Sequence, residues 1–76
     1  MPRYHFDIHE NSRVIPDEEG QDLAGESDAH KEAVMTGASI ARDAFVSGSA
    51  QRVVVDVSED GAPVLKVSIT LEVEKA

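Results

Sequence analysis

Seventy-six residues with 15 acidic and 7 basic side chains, a formal charge of −8, make one small domain spanning residues 1–76. At 41% apolar and 29% charged, the composition is globular and excludes disorder, collagen and coiled coil. The lack of cysteine excludes a disulfide framework and thiolate chemistry.

No two basic residues are adjacent, so the basic face that nucleic acids and anionic membranes demand is missing. No apolar run approaches the ~20 residues of a bilayer span. The opening Met1-Pro2-Arg3-Tyr4-His5 has no apolar signal core, and a cytoplasmic location is expected. Tyr4, Phe6 and Phe45 are the only aromatics, so the core must be built from Val, Ile, Leu and Ala. A chain of this size buries only about 60% of its unfolded surface. Hollowing a typical pocket of about 300 Å³ from so thin a core is costly, which favours a non-enzymatic protein without cofactor.

Along the chain, residues 3–9 alternate. Tyr4, Phe6 and Ile8 point one way; Arg3, His5, Asp7 and His9 point the other, as in a half-buried strand. Glu10-Asn11-Ser12 reads as a turn, and Arg13-Val14-Ile15 as a second strand stopped by Pro16. Asp17-Glu18-Glu19-Gly20 reads as a turn with Gly20 at positive φ, and Leu23 is the residue expected to pin the following loop to the core. Ser27 or Asp28 is expected to cap a helix that runs to about Ser47, with Gly48 as a left-handed stop. Its apolar stripe is predicted as Ala33, Val34, Gly37, Ala41, Ala44 and Phe45, flanked by Ile40 and Ala38. Such small residues imply close approach to a sheet.

Residues 51–58 form a third predicted strand with Val53, Val55 and Val57 on one face. Residues 63–74 form a fourth, with Leu65, Val67, Ile69, Leu71 and Val73 on one face. A three-residue loop, Glu59-Asp60-Gly61, keeps the apolar faces together and pairs Val55 with Leu65; a two-residue loop would set Val55 against Lys66. The expected architecture is α+β: a two-layer β-β-α-β-β unit with a four-stranded antiparallel sheet and one helix on one face. Sheet orders 2-1-3-4 and 2-1-4-3 both satisfy the pattern.

The frame Met1-Pro2-Arg3-Tyr4-x-Phe6-x-x-His9, the turn Pro16-Asp17-Glu18-Glu19-Gly20, the Ala-rich helix and Glu59-Asp60-Gly61 resemble a family of short bacterial proteins, mainly alphaproteobacterial. That family is a domain of unknown function. The resemblance spans nearly the whole chain and implies a shared fold without transferring catalytic residues. His5 and Asn11-Ser12 depart from the family pattern, which favours an aromatic or apolar residue and a Gly-containing turn there.

Four groups are candidate sites. His5, Asp7 and His9 share one strand face and are the most ligand-like set, with zinc the best-matched metal. Yet His5 and His9 lie roughly 13 Å apart along a strand, so an ion would need a ligand from elsewhere. A polar, solvent-facing strand surface is the favoured reading of them, and no metal is expected. His30 falls on the helix stripe, as a boundary residue or a pH-sensitive base. Asp17, Glu18, Glu19 and Asp22 lie in a segment, residues 17–32, that carries −6 of the charge (seven acids against Lys31). They form a solvated loop or a docking patch for a basic partner, and they lack the ligand order of a calcium loop. Leu71 and Val73 are expected to overhang the last hairpin, and Met35 and Val46 to lie on the outer helix face; these four are the candidate interface of a homo-oligomer joined at sheet edges. No nucleophile elbow, phosphate loop or dinucleotide fingerprint is present. The chain reads as an interaction module, with an acidic antitoxin-like regulator as the alternative and a metal-dependent enzyme third.

Overall fold

A computed structural model describes residues 1–76. In chain order its elements are β1 (Arg3–Glu10), β2 (Arg13–Ile15), β3 (Gln21–Asp22), α1 (Glu26–Ser47), β4 (Arg52–Glu59) and β5 (Ala62–Thr70). All strand pairings are antiparallel, in the order β2-β1-β4-β5. The fold is therefore α+β, and the first of the two expected sheet orders is the one adopted. It has one strand more than expected: two-residue β3 pairs with Arg3 and Tyr4 on the same side of β1 as β2.

Alternation decides which residues the sheet buries. Tyr4, Phe6 and Ile8 of β1 and Val53, Val55 and Val57 of β4 all turn inward and are buried. Facing them, α1 buries Ala29, Ala33, Gly37, Ala41 and Ala44. The small stripe lets the helix lie close to the strands. A Cβ built on Gly37 would stand 3.0 Å from both Ile69 Cδ1 and Val55 Cγ2, so α1 rests over the boundary between β4 and β5. Ile40, Phe45 and Leu23 pack on the rim of this core, and the Leu23 N–H bonds the Pro2 carbonyl at 3.1 Å, pinning its loop as expected.

The helix stripe is rotated from the expected one. Ala29 belongs to it, whereas Val34 and Ala38 are exposed, and so is His30. The N-cap also differs. Gly25 holds that position in extended conformation with no side-chain bond, and neither Ser27 nor Asp28 caps. The Gly25 carbonyl accepts from Ala29 N at 3.1 Å, so the helix has already begun at Glu26 and those polar residues lie within its first turn. Gly48 is left-handed at φ 79°, and its N–H closes on the Ala44 carbonyl, as the stop signal implied.

The last hairpin departs most from expectation. Its loop has two residues, Asp60 and Gly61, both at positive φ (51° and 85°), with Glu59 opposite Ala62. That register alone would turn the apolar face of β5 outward. A bulge between Ser58↔Pro63 and Val57↔Leu65 adds one residue, Val64, and restores the parity. Beyond it Val55 faces Val67 and Val53 faces Ile69. The strand also ends at Thr70, not at residue 74, because β4 has no residue left to pair beyond Arg52; the Leu71 N–H makes one further bond to the Gln51 carbonyl at 2.9 Å.

Candidate functional site

The helix covers one face of the sheet, which leaves three surfaces to consider. The first is the polar sheet face. His5, Asp7 and His9 project from β1 opposite Ser58, Asp56 and Val54 of β4. Lys66 and Ser68 of β5 continue the same rows. His9 Nε2 lies 2.8 Å from Asp56 Oδ2, with both side chains about 39% exposed, and Lys66 Nζ lies 3.9 Å from Asp56 Oδ1. Asp7, directly opposite Asp56, is taken by a different partner: its Oδ1 accepts the Asp17 N–H at 2.9 Å. An open cleft of about 630 Å³ runs from these carboxylates past Ser58 to Pro63 and Val64 at the bulge. His9 and Asp7 thus turn to separate partners, and no three His, Asp or Glu side chains converge as a metal site.

The second surface is the acidic loop between β2 and β3. Here β1 has no strand beside Phe6, because β2 ends opposite Ile8 and β3 begins opposite Tyr4. The Asp17 carboxylate fills that gap. Its Oδ2 accepts from Phe6 N at 3.1 Å, and its Oδ1 accepts from Gly20 N at 3.0 Å, closing the turn. Burial on its own pushes this carboxyl up. The backbone N–H groups of Gly20, Phe6 and Glu19, with His5 nearby, outweigh burial and hold it below the usual carboxylate range. Gly20 sits at φ 74°, where an added Cβ would stand 2.8 Å from the Tyr4 carbonyl oxygen. Asp22 is likewise committed, since Arg3 meets it through Nε at 3.2 Å and Nη2 at 3.2 Å. Of the expected docking patch only Glu18 and Glu19 keep free, exposed carboxylates; Asp17 and Asp22 hold the loop to β1.

The third surface is the β5 edge. The Leu71 N–H points to β4, so by ladder alternation Lys66, Ser68 and Thr70 turn their N–H and C=O groups outward, unpaired. Leu65, Val67 and Ile69, which face the helix side, are only half-buried, whereas their β4 counterparts are fully buried. The helix flank above this edge is apolar too. Gln21 Nε2 donates to Glu32 Oε1 at 3.4 Å, which puts the Glu32–Thr36 flank on the β3 side. Val34, Ala38 and Phe45, on the opposite flank, therefore overhang β5. Val34 is 41% exposed and Leu71 37%. Met35, Val46 and Val73 are all strongly exposed, but Met35 and Val46 lie on the outer helix surface, away from this edge.

The two sheet edges thus differ in kind. One is broken into strands of three and two residues, separated by Pro16 and the Asp17 turn; the other is a continuous nine-residue strand. Neither the Asp17 plug nor the bulge at Val64 has a local signature in the residues; both arise from where neighbouring strands stop.

No helix is long and apolar enough to cross a membrane. Comparison with curated proteins and with solved structures gives no match. A family model described as a domain of unknown function, DUF6894, matches residues 3–70, and the chain therefore belongs to the DUF6894 family.

Proposed function

We propose that this protein is a non-enzymatic interaction module that pairs with a second copy of itself along β5. The observation that carries this reading is the β5 edge itself: an unbroken run of unpaired backbone groups beside half-covered Leu65, Val67 and Ile69, under the apolar helix flank of Val34 and Phe45. A strand laid against this edge pairs the free backbone groups and extends the core at once. The charge distribution supports self-pairing. Between Ala62 and Thr70 the only charge is Lys66, whereas the acids of residues 17–32 cluster on the side of β1 and the helix start. Two copies meeting at β5 keep their acidic loops apart. The plugged opposite edge limits each chain to one partner strand, so the assembly closes as a two-fold dimer. Binding of a basic partner to the acidic loop has less support, because Asp17 and Asp22 are engaged within the chain.

Ser68→Pro tests the reading. The Ser68 N–H points outward, so proline spares the β4 ladder and obstructs only an arriving strand. Sedimentation of the wild type should give twice the 8.2 kDa chain mass, and the variant the single mass with an unchanged circular dichroism spectrum. A wild type that stays at 8.2 kDa up to millimolar concentration refutes the reading.

A further inference from the structure

We infer that the two β5 strands pair antiparallel about Ile69, setting Lys66 of each copy opposite Glu72 of the other, and that residues 71–74 join the strand when they do. This rests on the dimer reading above and adds its register. The starting observation is a mismatch between pattern and pairing. The in-out alternation of β5 continues unbroken through Leu71, Glu72, Val73 and Glu74, yet the strand stops at Thr70 because β4 ends opposite it. Residues 71–74 have the composition of a strand and, beyond the one bond from the Leu71 N–H to the Gln51 carbonyl, no neighbour within the chain to pair with.

A second copy supplies the neighbour, and few registers are open. Lys66, Ser68 and Thr70 turn their backbone groups outward, so they must meet outward-turned residues of the other strand. Two-fold symmetry then places one residue opposite itself. Centring on Lys66 sets lysine against lysine, which is unfavourable. Centring on Val67 or Ser68 puts Lys66 against Ser68 or Thr70 and leaves its charge unmatched. Centring on Thr70 sets Lys66 against Glu74 but faces Leu65 with Lys75. Centring on Ile69 sets Lys66 against Glu72 twice and Ser68 against Thr70. On the helix side it pairs Leu65 with Val73, Val67 with Leu71, and Ile69 with itself. That register alone matches every apolar inward residue from Leu65 to Val73 with another and Lys66 of each copy with a carboxylate. Lys66 can reach the contact: its side chain is 65% exposed, and its ion pair with Asp56 is long, at 3.9 Å.

The deciding variant is Glu72→Lys. It lowers the net negative charge of each chain, so general electrostatics alone would tighten a dimer. The Ile69-centred register requires the opposite: dissociation constants raised roughly tenfold in low salt by two Lys–Lys contacts, given typical cross-strand pair energies. Lys66→Glu should weaken the dimer as well, and the charge-swapped double variant should return to within about threefold of wild type. Single cysteines give an independent reading, because the chain has none of its own. In this register Ile69→Cys pairs lie close enough to form a disulfide, and Ser68→Cys pairs, offset diagonally, do not. Tightening by Glu72→Lys, or a Ser68→Cys crosslink, overturns the register while leaving the dimer intact. A wild type that remains monomeric overturns the dimer reading instead. Should Ile69→Cys fail to fold, the charge swap still decides.

Discussion

Replacing Asp17 by Asn tests whether this carboxylate stands in for a missing strand. Its two oxygens serve different N–H groups, Phe6 at 3.1 Å and Gly20 at 3.0 Å. An amide keeps one acceptor and turns an NH₂ group toward the other donor, so one bond becomes a donor–donor clash and the other loses its charge. For a half-buried site the cost is about 2–3 kcal/mol. A domain of 76 residues has roughly 4–11 kcal/mol in all, so the loss is large. It corresponds to a fall in melting temperature of roughly 10–20 °C for a chain of this size. Urea denaturation followed by circular dichroism, at one fixed low protein concentration, measures it. The pH dependence adds a second check. The folded carboxyl titrates below its unfolded value of about 3.9, so its stabilisation is complete above that pH and is lost as pH falls through the folded value. The gap between wild type and variant must therefore narrow on acidification. A variant within about 0.5 kcal/mol of wild type at neutral pH, the range of ordinary surface changes, would refute the plug.

Gly20→Ala and Gly48→Ala form a matched pair, since both glycines have positive φ but only Gly20 abuts backbone, the Tyr4 carbonyl. Gly48→Ala should cost about 1 kcal/mol, and Gly20→Ala at least twice that, by urea denaturation; equal costs would show that the close approach carries no weight. Tyr4 is the only tyrosine, so the ultraviolet signal of phenolate follows it alone in an alkaline titration. Burial first, then the Glu59 carboxylate beside its hydroxyl and the more distant Glu26 and Asp28, push the phenol up, so the folded midpoint should lie above 10.0. Because the folded value is the raised one, this contribution to stability is intact below the unfolded value and declines as pH rises through the folded one. A midpoint at or below 10.0 would contradict the placement of Tyr4 against Glu59.

What the residues reveal on their own is periodicity. Tyr4, Phe6 and Ile8, or Val53, Val55 and Val57, declare a strand and its inner face because neighbouring side chains alternate whatever lies beside them. Gly48 declares a helix end because the left-handed conformation is local. Features set by a neighbour are silent. The bulge at Val64 lets a two-residue loop and a correct face coexist, so parity could not choose the loop. The alternation through Val73 predicts a strand that β4 is too short to pair. β3 has two polar residues and no pattern of its own. The role of Asp17 depends on a gap between β2 and β3, and no spacing in the chain encodes a gap. His30 shares the angular position of buried Gly37 and Ala41 yet stands exposed near the start of the helix, because periodicity gives a face and not how far along the helix that face is covered.

The central ladder of the sheet has a kinetic meaning. The β1–β2 and β4–β5 hairpins close over short turns, whereas β1 and β4 join residues 4–10 to residues 53–59 across the entire helix. Closing that long loop costs chain entropy before any ladder bond repays it. The sheet is in this sense two quickly made hairpins sutured down the middle, and the suture sets the pace. Side chains along it, such as Phe6 against Val57, govern how fast the chain folds.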